Sequence, residues 1–310
     1  MSTQSNAMPE SFEAQVIAPA VIPATRRMYW SVRRELWENR SIYVAPLAVA
    51  GVILFGFLIS TIGLPHKMRA ALALDPEKQH AAIAMPYDFA AALLMATAIL
   101  VSVFYCLDAL HGERRDRSIL FWKSLPVSDL TTVLSKASIP LIILPLLTFV
   151  ITVSTQLIMA LLGSAVLAAS GLSASALWTR LSFLQMSLLL LYHLLTSHAL
   201  WPAPVYCWLL LVSGWARRAA FLWAALPLLA IAGVEKMVFH TSRFARLVGS
   251  HIIGDAPAAA FTGPDMLPTG PMTHITPGEF LSSPGLWIGL AIAAAFLAAA
   301  VRLRRYREPI

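Results

Sequence analysis

Hydrophobic positions in this chain come in long unbroken runs, not in the short alternations of a soluble domain. Five runs are long enough to cross roughly 30 Å of bilayer hydrocarbon as helices: Ile42–Leu64, Phe89–Leu107, Val133–Leu162, Ala219–Val238 and Leu286–Val301. A sixth, Leu181–Val212, is longer than one crossing needs and contains Trp201-Pro202-Ala203-Pro204. Proline removes a backbone donor and clashes with the preceding turn. This region therefore predicts one long helix, broken at the prolines and crossing once; two half-spans forming a re-entrant pair are the other reading. Ahead of the first run, RRMYWSVRRELWENR places Tyr29, Val32 and Leu36 on one face with Trp30 and Trp37 beside it, and Arg27, Arg34, Glu35 and Glu38 elsewhere. That pattern predicts an amphipathic connector helix in the interface, aromatics down and arginines at the headgroups. Residues 1–25 lack the basic start and apolar core of a signal peptide and read as a flexible cytoplasmic lead. The expected fold is all-α, with residues 26–310 forming one transmembrane domain of six helices.

Composition supports this. The 310 residues are 58% hydrophobic and 13% charged, against roughly 25% charged in soluble domains. The formal charge of +7 records topology rather than a nucleic-acid surface, because Lys and Arg gather on the cytoplasmic side of membrane proteins. With six spans, Lys67, Arg69, Lys78, Arg180, Lys236, Arg243 and Arg246 fall on one side and the other 16 of the 23 Lys and Arg on the opposite side. Both termini are therefore expected inside. Pro65–Asp88 and the Pro-, Gly- and Ala-rich stretch Phe239–Pro284 would face outward. Cys106 and Cys207 lie in or beside apolar runs and predict no disulfide framework.

The second and third runs are joined by DALHGERRDRSILFWKSLPVSD, residues 108–129. Its first half is charged: Glu113, Arg114, Arg115, Asp116 and Arg117. Its second half is apolar, with Ile119, Trp122 and Leu125 near helical spacing. Leu125-Pro126 ends such a helix, and Ser128-Asp129 can cap the next. The apolar stripe needs a place to bury, either lipid or a groove on a soluble partner with the charged residues at the rim.

The arrangement resembles the permease subunits of ABC-2-type exporters. These have a connector helix, six spans, and a coupling helix that begins with a Glu-Arg pair and ends in a Leu-Pro-Val-Ser type turn. Glu113-Arg114-Arg115 and Leu125-Pro126-Val127-Ser128 occupy those places here. The resemblance implies that residues 113–128 contact a separate ATP-binding subunit, through Glu113, Arg114, Arg115, Arg117, Ile119, Trp122, Leu125 and Pro126. It also implies two permease copies working with two ATPase copies in the bacterial inner membrane, with ATP and Mg held by the ATPase. The long broken fourth span and the large last outward loop depart from the family pattern. No glycine is followed by lysine, so no P-loop exists in this chain, and it is expected to be no enzyme by itself.

Little else carries chemistry. There is no H-E-x-x-H and no His/Cys cluster with metal-ligand spacing. His193 and His198, near Thr196 and Ser197, form a polar patch in an oily region and mark a candidate substrate path together with Glu235 at the outer end of the fifth span. Helix bonding for the histidines and interfacial anchoring for Glu235 are the plainer readings. Gln156 is a lone amide inside the third run and predicts a bond to another helix. Gly285, Gly289 and Ala293 form a ladder of small residues that permits close packing on a neighbour. Rival functions are a membrane-embedded enzyme, which the lack of paired carboxylates disfavours, and a scaffold that docks a cytoplasmic protein without transport.

Overall fold

The computed structural model describes residues 23–118, 121, 127–173, 175–253 and 277–306. Among these residues all regular structure is helical. In chain order the helices are α1 (Ala24–Glu38), α2 (Ser41–Ser60), α3 (Leu64–Leu72), α4 (Pro76–Asp108), α5 (His111–Arg115), α6 (Asp129–Ser138), α7 (Leu144–Ala169), α8 (Ser175–Leu181), α9 (Phe183–His193), α10 (Ala203–Trp215), α11 (Ala220–Phe239), α12 (Arg243–Ile253), α13 (Pro277–Ser282) and α14 (Pro284–Tyr306). A 3₁₀ turn, Thr61–Gly63, joins α2 to α3. Two π-helical turns, Ile139–Ile143 and Leu194–Leu200, join α6 to α7 and lead from α9 toward α10.

Six continuous helical stretches are long and apolar enough to cross a membrane: Ser41–Leu72, Lys78–Arg115, Asp129–Ala169, Phe183–Leu200, Ala220–Phe239 and Pro284–Tyr306. This is the architecture of a multi-pass membrane protein. Large side chains such as Phe55, Phe104, Leu229 and Met237 point outward, which suits helices solvated by hydrocarbon. The helices outrun the apolar sequence: α4 begins at Pro76, ahead of the expected start at Phe89, because polar residues such as Gln79 do not interrupt helical hydrogen bonding.

The expected break in the fourth region falls where the prolines put it. After α9 the helix widens into the π turn, with the Trp201 N–H reaching Thr196 O, and α10 restarts past Pro202. The run keeps its direction through the break. Leu190 and Leu194 pack with Ala91, Tyr206 with the Ala98–Cys106 stretch, and Ser213 bonds the backbone of Leu110. The residues of α9 and α10 thus meet those of α4 in the same order, end to end, as one broken run that does not turn back on itself. The other π turn carries Pro140 and is followed by Pro145. Two missing backbone donors within six residues favour a slip in hydrogen-bond register. The two π turns pack against each other.

The small-residue ladder finds its neighbour inside the chain. A Cβ on Gly285 would come within 3.5 Å of Trp201, and one on Gly289 within 3.4 Å of His251 and 3.6 Å of Pro204. Ala293 packs with Ala203 and Cys207. Close approach of α14 to α10 is what these small residues permit. Gln156 donates to Tyr87 O at 3.2 Å, which ties α7 to α4 as expected.

Candidate functional site

At one end of the bundle, where α1, α5, α6 and α14 converge, six charged side chains form a mostly buried cluster. Glu35 of α1 is fully buried, Lys136 of α6 is 2% exposed, and Glu113 of α5 and Arg304 of α14 are 7% and 6% exposed. The Lys136 ammonium lies 2.9 and 3.1 Å from the two Glu35 oxygens and 3.1 Å from Glu113. The Arg34 guanidinium donates to Glu35 at 2.6 Å and to Glu113 at 3.0 Å. Arg304 closes the set, donating to Glu113 with one nitrogen and to Asp129 at 3.1 Å with Nε. The Tyr105 hydroxyl of α4 donates to Glu35 at 2.9 Å.

Three cations thus face three carboxylates. Each fully enclosed carboxylate receives three donors. That satisfaction is the condition under which buried charge is tolerable. Burial alone would push the Glu35 carboxyl up. The adjacent Lys136 and Arg34 outweigh it and hold the group below the usual carboxylate range. A depressed folded-state pKa adds stability above the unfolded value near 4.5 and loses it as pH falls through the folded value. Thermal unfolding in detergent is accordingly expected to be flat from neutral pH down to about pH 5 and to fall off only below it. The slope should be shallower in Glu35→Gln; an equal slope in that variant would show that the cluster is not the source.

The start of the 108–129 segment is pinned by a second set of bonds. Ser213 Oγ of α10 accepts the Leu110 and His111 N–H groups at 2.9 and 3.2 Å. Arg114 donates to Gly214 O at 2.9 Å and Ala216 O at 3.2 Å, satisfying carbonyls that the end of α10 leaves open. Beyond Arg115 the character changes. Arg115 pairs with Asp116 in the open, and Arg117 turns at φ 57°, in the left-handed region. Arg115, Asp116, Arg117 and Phe121 are exposed. Ser128 caps α6 as expected, accepting the Thr131 N–H at 3.1 Å.

The sequence-predicted contact residues therefore divide. Glu113 and Arg114 are buried against this chain's own helices, Arg115 and Arg117 face outward, and Ile119, Trp122, Leu125 and Pro126 lie outside the described residues. The proposed substrate-path residues are not brought together. His193 is buried on α9, with Nδ1 3.0 Å from Leu189 O. His198 sits in the π turn beside Ser102 and Tyr206. Glu235 is engaged elsewhere: it accepts from Thr241 Oγ1 and from the Arg243 and Phe244 N–H groups at 2.7–2.8 Å. It thereby caps the start of α12, the placement a helix N-terminus favours for a carboxylate. Among the described residues no group of three or more His, Cys, Asp or Glu could hold a metal ion.

Sequence reasoning places Glu35 off the apolar face of the connector helix and gives Lys136 no part beyond the count of inside cations. A signal was present: Glu35 lies three residues on from Val32, close enough on the helix surface to neighbour it, and Val32 packs against the core. No family model, curated protein or solved structure matches this chain.

Proposed function

We propose that the chain is the membrane-spanning permease subunit of an ATP-driven ABC-2-type exporter in the bacterial inner membrane, with both termini cytoplasmic. Two copies would work with two copies of a separate ATP-binding subunit, which holds ATP and Mg. The observation that carries this reading is the position of Glu113. It opens the 113–128 segment and is bonded to Arg34, Lys136 and Arg304, on three different helices. Past Arg114, residues Arg115, Asp116 and Arg117 are exposed. A segment wired to the bundle at its base and open beyond it suits the transmission of force from a docked protein. Displacing α5 would pull on α1, α6 and α14 through ion pairs, and on α10 through Arg114 and Ser213. The basic end of the bundle, with exposed Arg217 and Arg218 in the same region, agrees with a cytoplasmic face.

The test is purification of the tagged full chain from its native membranes in mild detergent. A P-loop subunit is expected to accompany it in equal amount, with ATP hydrolysis that disappears when that subunit is stripped off. ATP turnover by the stripped chain, or a stable assembly without any P-loop protein, would overturn the reading.

A further inference from the structure

At the end of the bundle away from the charge cluster, α2, α3 and α4 enclose a half-open pocket of about 520 Å³. This is the size of a pocket that holds a small organic ligand. Its walls are apolar: Val52, Phe57, Met68, Ile83, Tyr87 and Met159 all contribute. Along α4 the lining runs from Ala82 to Leu93, about 16 Å at 1.5 Å per residue. The pocket is therefore a slot lying along the helices. Gly56 lines one wall, and a Cβ added there would meet nothing within 4 Å.

Among the described residues one charged group lines this slot. Lys67 of α3 lines it and is exposed. Its ammonium makes no ion pair or hydrogen bond with any other described residue. Two hydroxyls also line it, those of Tyr87 and Ser60, and Ser60 already donates to Phe57 O at 2.8 Å. An apolar slot with an unpaired cation at the helix-end side is complementary to a molecule that is apolar along its length and anionic at one tip.

We propose that this slot binds the acyl chain of an anionic lipid, with the chain between α2 and α4 and the headgroup on Lys67. The site follows from the slot and the cation alone, so it stands whether or not the chain is driven by an ATPase. The chain's membrane-spanning architecture places such lipids within reach. A zwitterionic lipid would fill the slot and bring a phosphate to Lys67, but its own ammonium offsets that charge, so selectivity rests on the net charge of the headgroup.

The full chain in detergent is incubated with lysophosphatidylglycerol or, in parallel, with lysophosphatidylcholine of the same chain length. Lipid retained per chain is read by native mass spectrometry. The expected result is preferential retention of the anionic lipid. Lys67→Glu should weaken that retention by about fivefold or more, the scale of one cation near an anionic headgroup. Arg69→Glu makes the same charge change on the same helix, at a position that does not line the slot, and should leave retention as it was. Gly56→Phe and, from the opposite wall, Ala82→Phe should reduce retention of both lipids by filling the slot. Equal retention of the two headgroups, or equal effects of Lys67→Glu and Arg69→Glu, would overturn the proposal. A dimer lost on Gly56→Phe with lipid retention unchanged would overturn it too, by assigning the slot to a second copy of the chain.

Discussion

Lys136→Met is expected to destabilise the detergent-solubilised protein by about 3–5 kcal/mol, the range for removing one partner of a buried ion pair. Among the described residues, the Lys136 ammonium is the one cation that touches both Glu35 and Glu113 while being itself almost wholly enclosed. Without it, two buried carboxylates share Arg34, and Glu35 loses the neighbour that most strongly favours its charged form. Methionine keeps much of the volume, so the loss reports charge rather than a cavity. The companion variant Glu35→Gln/Glu113→Gln/Lys136→Met should recover most of the stability. It leaves Arg34 facing Glu38 and Arg304 facing Asp129, a balanced remainder, and replacing a whole buried ionic set is often neutral. Denaturant unfolding of the three proteins in the same micelle decides it. A cost below about 1 kcal/mol for Lys136→Met, the scale of an exposed pair, would show that water reaches the cluster.

That cluster also shows where reading the sequence succeeds and where it stops. The spans were legible because each is a local property: an apolar run of sufficient length must be a helix, whatever it packs against. The break near Trp201 and the Ser128 cap were equally local, since proline and serine act within one turn. The charges were not. Glu35 and Lys136 are 101 residues apart and Glu113 and Arg304 are 191 apart, and no local rule pairs them. A charge beside an oily run reads as an interfacial anchor; Arg217 and Arg218 are exposed, whereas Lys136 is enclosed in the ionic cluster. The better guide is the face on which a charge falls. On α14 the residues Leu286, Gly289, Ala293, Ala300 and Arg304 are all buried and recur at steps of three, four or seven, so Arg304 continues an apolar stripe. On α1, Glu35 follows the core-packed Val32 by three residues. A charge in phase with a buried stripe calls for a buried partner, though it does not say which. Glu235 shows the converse: a carboxylate at a span's outer end marked a candidate path residue or an interfacial anchor, and a helix start eight residues on engages it, which no local rule announced.

The same division changes what is expected of the 113–128 segment. Glu113 reads in sequence as a rim charge facing a partner, yet it is 7% exposed and saturated by its own chain. Glu113→Gln should therefore shift retention of an ATP-binding subunit by no more than the scale of a rim contact, about 0–1 kcal/mol, while lowering the stability of the chain itself. The affinity should reside in the apolar half of the segment. Trp122→Ala is expected to weaken retention by 2 kcal/mol or more, roughly thirtyfold, because buried aromatics anchor interface centres. Arg117→Ala removes an exposed charge and should matter less. Trp122 and Arg117 lie outside the apolar spans, so both variants should still reach the membrane in normal amount. Titrating the purified ATP-binding subunit onto each variant in detergent gives the affinities directly. If the segment only anchors to lipid, Trp122→Ala will bind the subunit as tightly as the parent chain does. If instead Glu113→Gln weakens binding as much as Trp122→Ala, the partner must reach the charge cluster itself, and the cluster would have to open when the two proteins meet.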